Sequence, residues 1–279
     1  MKKNAFLAGC LSATSLLYSL PVSNPSEASF LNQGVCWTTT PCKTLNNWGG
    51  PFGIRAGYYG NFVFNRHTKV EENVTETHLD NTTVYTNAGY LAINLYDYVD
   101  LFGVLGMSNL FLYGDAATFD SSAVGQMLEI ESNSHFSWSL GGRVSLIKYH
   151  CLTLGIEGQY FSTSPDIRRI TQAATFSTYP SEFEMKYTEW QIGAGLSYRI
   201  KLPIDVIPYL AIDYSDVKTD MDHAQPGGTF DITLYDLKSQ KNVGYALGVS
   251  FIDADQVAVT IEGRFVNEKA LYANVQLRF

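Results

Sequence analysis

Side-chain chemistry in this 279-residue chain would have to start from its five histidines and four cysteines. Nucleophilic or acid–base catalysis needs a His within hydrogen-bond reach of a hydroxyl, thiol or carboxylate. His67, His78, His135, His150 and His223 fall in stretches that read as loops or strand ends, and none sits in a catalytic motif. A zinc site would need a second Cys or His pair at ligand spacing beside Cys36 and Cys42. The glycines alternate with aromatic residues rather than forming a phosphate-cradling loop. The expectation is therefore no catalytic residue, no metal and no cofactor. Removal of an exported N-terminus carrying Cys10 would leave Cys36, Cys42 and Cys151, an odd set that suggests a free or intermolecular thiol. For Cys151 the alternative is a small apolar filler.

A second constellation is more regular. Arg55, Asn61, Arg143, Glu157, Gln159, Gln191, Arg199, Glu262, Arg264 and Arg278 occupy alternate positions between apolar neighbours. Groups of both signs at that spacing can line a wetted wall, order water and exchange hydration with a passing solute. Each could equally serve as an internal salt bridge with no transport role.

The elements that must position such a wall are strands. In 52–66 the even positions include Phe52, Ile54, Tyr58, Phe62 and Phe64, whereas the odd ones include Arg55, Tyr59, Asn61 and Asn65. The same alternation runs through Phe136/Trp138/Leu140, Leu152/Leu154/Ile156, Trp190/Ile192/Leu196 and the last three apolar segments, which argues for half-buried strands. Ten strands are expected, at 52–66, 83–96, 99–113, 135–148, 151–163, 183–200, 206–215, 242–251, 257–266 and 270–279, with weak alternation in the second and third. At about ten residues per membrane strand, roughly 12–16 would also fit. Part of an extra hairpin could lie in Phe230–Tyr235. Connections after odd-numbered strands run 16, 21, 19, 26 and 3 residues, and those after even-numbered strands run 2, 2, 5 and 5. Short turns at one end and long loops at the other are a property of transmembrane β-barrels. The fold class expected is thus all-β, a closed antiparallel transmembrane barrel of even strand number. Many aromatics on one face, and Gly, Ser, Gln, Arg and Glu on the other, favour lipid outside and water within. An apolar-cored secreted barrel or sandwich is the alternative.

Composition agrees. Charged residues make up 16% and aromatics 14%, with 19 Lys+Arg against 27 Asp+Glu and a net charge of −8. That balance lacks the basic footprint a nucleic-acid partner requires. Beyond the first 20 residues no apolar run reaches the length of a spanning helix. Lys2 and Lys3 followed by apolar Ala5–Leu20 read as a secretory signal. Leu7-Ala8-Gly9-Cys10 resembles a lipoprotein box, but too few apolar residues precede it. A cut could fall after Ser19 or after Ala28. The domain expectation is a signal peptide at 1–19, a periplasmic segment at 20–51 holding Cys36 and Cys42, and a barrel at 52–279.

Several segments together resemble the chlamydial major outer membrane protein, a porin family. Leu20-Pro21-Val22-Ser23-Asn24-Pro25 resembles the family's mature start, which favours the cut after Ser19. Ile54–Gly60, Phe136–Gly141, Glu189–Gly193 with Leu196–Arg199, and Ile252–Asp255 leading through Glu262, Arg264 and Asn267-Glu268 to Gln276–Phe279 resemble family strands. The chain is shorter than typical members, mainly between 67 and 134 and between 164 and 241, and carries fewer cysteines. The resemblance implies an outer-membrane location, passive diffusion of small hydrophilic solutes, a trimer, and a disulfide-linked envelope in which Cys36, Cys42 and Cys151 are the candidates. Phe279, in phase with Leu271, Ala273, Val275 and Leu277, is similar to the terminal signal read by the barrel assembly machinery. Expected partners are outer-membrane lipid, that machinery, further copies of the chain and envelope proteins. Glu71-Glu72 could repel anions or simply be solvated loop. The alternative function is a structural or adhesive surface barrel acting through 67–82, 114–134, 164–182 and 216–241.

Overall fold

A computed structural model describes residues 20–29, 52–71, 79, 81–96, 98–116, 126–172, 175–178, 183–221, 233–253 and 256–279. Alternating side chains on an extended backbone give two chemically different faces, and strands of that kind pair until no edge is left. Fifteen strands are described: β1 (Phe52–Arg66), β2 (Thr68–Val70), β3 (Asn81–Leu95), β4 (Val99–Asp115), β5 (Met127–Ser132), β6 (His135–Tyr149), β7 (Leu152–Thr163), β8 (Ile167–Gln172), β9 (Thr175–Thr178), β10 (Lys186–Tyr198), β11 (Asp205–Asp220), β12 (Leu237–Ser239), β13 (Val243–Asp253), β14 (Val257–Phe265) and β15 (Glu268–Arg278). The order β3-β1-β15-β14-β13-β11-β10-β7-β6-β4, closed by β3 on β4, is a ring of ten antiparallel strands in chain order. These are the ten strands expected from period two. The five short strands stand outside the ring, all beyond its long-connection end: β5, β8 and β9 continue from β4, and β12 bridges β11 to β2. Within the region suggested for an extra hairpin, Thr233–Tyr235 is not strand, and β12 forms just beyond it. Phe230–Ile232 lie outside the described residues.

The apolar face points outward. On β6, Phe136, Trp138 and Leu140 are 52%, 37% and 61% exposed, whereas Ser137, Ser139 and Arg143 are buried. Aromatics gather at both ends of that outer surface. Tyr96, Tyr98, Tyr149 and Tyr198 mark the short-turn end, and Phe64, Trp138, Trp190, Tyr245 and Phe265 mark the long-connection end. Two girdles around an apolar band are what a bilayer selects. The short-turn end is the periplasmic one in barrels of this kind.

The weak alternation in β3 and β4 has a local cause. Their inward face carries Ala88, Tyr90, Ala92, Phe102 and Val104, which pack with Tyr59 and Tyr272 into an apolar patch on the inner wall. Apolar residues on both faces erase the period-two signal. At the long-connection end a larger cluster, including Val63, Leu110, Ile130, Phe161, Ile170 and Leu237, fills the space beneath the strand extensions.

Candidate functional site

The site is the lumen, and its wall is built from the inward half of every barrel strand. Nine of the ten expected wall residues are buried there: Arg55, Asn61, Arg143, Glu157, Gln159, Gln191, Glu262, Arg264 and Arg278. Arg199 differs. Strand β10 ends at Tyr198, so Arg199 sits half-buried at the short-turn rim, its Nε 2.6 Å from Asp205 Oδ2.

The wall divides into two charged layers. Near the short-turn end Arg55 pairs with Asp100 and donates to Gln276 Oε1 at 2.9 Å, while Arg143 Nε lies 2.5 Å from Glu157 Oε2. Asn94 ties in by donating to Asp100 Oδ1 at 2.6 Å. Arg143 also stands over the Phe102 ring, 5.3 Å from its centroid. Near the long-connection end Arg66 Nη1 reaches Glu189 Oε1 at 2.7 Å and Glu268 Oε2 at 3.4 Å, and Arg264 Nη2 reaches Glu268 Oε1 at 3.0 Å. Tyr187 and Tyr209 donate to Glu189 at 2.9 Å and Glu262 at 2.7 Å. Between the layers the Gln191 and Asn274 amides have no protein partner among the described residues, so lumen water is their available partner.

Sequence reasoning missed Arg66, Asp100, Glu189 and Glu268. Arg66 is in the outward phase when counted from Ile54. A β-bulge between Val63 and Asn65 shifts the register and turns Arg66 inward. Asp100 opens a strand whose alternation is weak. Glu189 was legible, one step before Trp190 in the inward phase. Glu268 falls in the expected connection, but β15 begins there.

The lumen is not lined by strands alone. Leu20–Ala28, expected to begin a periplasmic segment, lies inside the barrel, and every residue of it is buried. The Asn24 side chain accepts from the Ser26 amide at 3.0 Å and its carbonyl accepts from the Glu27 amide at 2.8 Å, folding a single turn over Glu27–Ser29. Residues 30–51, with Cys36 and Cys42, and the expected signal at 1–19 lie outside the described residues. Cys151 is half-buried in the β6–β7 turn as a free thiol. Phe279 is 53% exposed on the outer surface, and its amide donates to the Ile54 carbonyl at 2.9 Å, closing the β15–β1 seam.

The family model described as Chlamydia major outer membrane protein matches residues 1–77, 68–128 and 227–279. The chain belongs to that family. The major outer membrane porin of Chlamydia abortus is 28% identical over 387 positions, covering 99% of this chain and 99% of that protein. The serovar L3 major outer membrane porin of Chlamydia trachomatis is 26% identical over 395 positions with the same coverage. Both alignments exceed this chain's 279 residues, so the relatives carry segments it lacks. Among solved structures, the outer membrane protease OmpT of Escherichia coli aligns over 82% of this chain and 97% of that one at 15% identity, with a TM-score of 0.44, too loose a likeness to guide any side-chain argument. Family membership and the lipid-facing band agree: this is an outer-membrane protein of the porin type, crossing the bilayer with ten strands.

Proposed function

We propose that the chain is a porin passing small hydrophilic solutes and ions by passive diffusion along the inner wall. The observation that carries this reading is the wall itself: buried cations and carboxylates of both signs, at two levels, inside a closed barrel whose apolar face meets lipid. Fixed charges of opposite sign replace part of a solute's hydration and set selectivity without bond making or breaking. Eight strands leave an interior that side chains can just fill, and bore grows with strand number, so ten strands suit small solutes and small conductance. In planar bilayers the purified, folded barrel is expected to show discrete conductance steps. Folded protein without steps, both with residues 20–28 in place and with them deleted, would falsify the channel reading.

The second reading is a structural or adhesive barrel. It draws on the buried Leu20–Ala28 segment and on the apolar cluster at the long-connection end, both of which narrow the lumen. Its disulfide version rests on Cys151, in an accessible turn, together with Cys36 and Cys42. A non-reducing gel of envelopes discriminates, because a cross-linked ladder that collapses with reductant favours the scaffold. Trimer formation by resemblance to the family is proposed on the same footing and is tested by the mass of the detergent-solubilised particle.

A further inference from the structure

We propose that Leu20–Ala28 is a built-in plug, charge-matched to the lumen at both ends, that limits conduction until it is displaced. This rests on the porin reading and names the regulation of that same lumen.

Charge complementarity is the first argument. Near the short-turn end the buried Arg55 and Arg143 stand beside wall carboxylates Asp100 and Glu157. Glu27 joins both arginines: its carboxylate pairs with Arg143, accepts from Gln276 Nε2 at 3.0 Å and from Thr260 Oγ1 at 3.2 Å, and its carbonyl accepts from Arg55 at 3.1 Å. Near the other end Glu189, Glu262 and Glu268 face Arg66 and Arg264, an excess of one anion, with Asp213 a further buried carboxylate on the inward face. The Leu20 nitrogen lies there, 3.1 Å from Glu189 Oε1. A cut after Ser19, the position expected from the sequence, makes that nitrogen an ammonium beside a layer in which carboxylates outnumber arginines. Buried charge of this kind persists only when paired.

Shape is the second argument. Three inward glycines on β7 and β10 are where the segment passes. A Cβ on Gly193 would stand 2.8 Å from Val22 Cγ1, one on Gly155 2.9 Å from the Pro25 carbonyl oxygen, and one on Gly195 3.2 Å from Pro25 Cγ. Any larger residue at these positions would close the groove. Polar anchors run the whole length: Asn24 Nδ2 donates to the Ile207 carbonyl at 3.0 Å and Ser250 Oγ at 3.1 Å, Ser145 donates to the Pro25 carbonyl at 3.0 Å, Asn94 donates to the Ala28 carbonyl at 2.7 Å, and Ser26 meets Ser197. Pro21 and Pro25 restrict the unseated chain and so lower the entropy cost of seating.

The test compares single-channel conductance of the mature chain, a variant lacking 20–28 behind an intact signal, and G193V, each checked for folding by heat-modifiable gel mobility. Severalfold larger steps in the deletion and in G193V are expected. A nine-residue peptide of sequence 20–28 should block the deletion variant again, and its N-acetylated form should block roughly tenfold or more weakly, because one partner of a buried charge pair is removed. Equal conductance in intact and deleted barrels overturns the plug and leaves the porin reading standing. If neither barrel conducts, the porin reading fails, and a disulfide test decides the seating separately. With Cys36, Cys42 and Cys151 replaced by Ser, S26C paired with S197C should cross-link in the folded barrel, and absence of that cross-link overturns the plug.

Discussion

Arg143 shows how the lumen holds its charges. It is 1% exposed in its side chain, touches Glu157 and Glu27, and stands 3.7 Å from Asp100 Oδ2. Removing it strands buried carboxylates, so R143A is expected to lose about 3–5 kcal/mol, read from urea unfolding in detergent. A loss below about 1 kcal/mol would mean the lumen screens charge as a surface does. Val266 is a different case. It turns the tight β14–β15 hairpin at a φ of 100°, a region that a β-branched residue rarely adopts. V266G should raise stability by roughly 1 kcal/mol as that strain is relieved, and the same unfolding titration reads it. Neither expectation is visible in a list of residue types: Arg143 was legible as an inward position, but its partners lie on other strands and on the N-terminal segment.

At the scale of elements, alternation did the organising. It located all ten barrel strands because each strand has one face in lipid and one in the lumen, and a period of two is a local property of the chain. Its failures are equally physical. The apolar patch on the inner wall blurs β3 and β4, and the bulge in β1 reverses the phase of Arg66. The short strands beyond the ring escaped notice because three- to six-residue pieces carry too little periodicity. The outward face makes its own prediction. Leu105 lies midway along β4 and is 62% exposed, so L105R should cost about 2–4 kcal/mol in a bilayer, near the value for a cation at the midplane. Folding equilibria in lipid vesicles test this, and a neutral result would place that face away from acyl chains.

For the whole molecule, closure depends on the last strand. Backbone pairing joins β15 to both β14 and β1, and the Phe279 amide reaches the Ile54 carbonyl across the seam. Exchange of the exposed terminal aromatic, F279S, leaves that backbone bond available, and a drop in the amount reaching the outer membrane would identify the ring itself as the assembly signal. Processing of the N-terminus should not change. Unaltered yield in fractionated membranes argues against a terminal signal.

Strand limits within a few residues, end-to-end asymmetry of the connections and the polar character of one face were settled by the sequence, because each depends on neighbours a few positions apart, whereas the count of ten, among the even numbers that fit, was decided by the closing of the ring. Which face meets lipid, which charges meet one another and what occupies the lumen were decided only by tertiary structure. The Leu20 nitrogen and Glu189 stand 169 positions apart, and Glu27 is 249 from Gln276. A nine-residue segment with two prolines has no period to betray where it docks. Its place follows from charge and shape that exist only once the ring has closed.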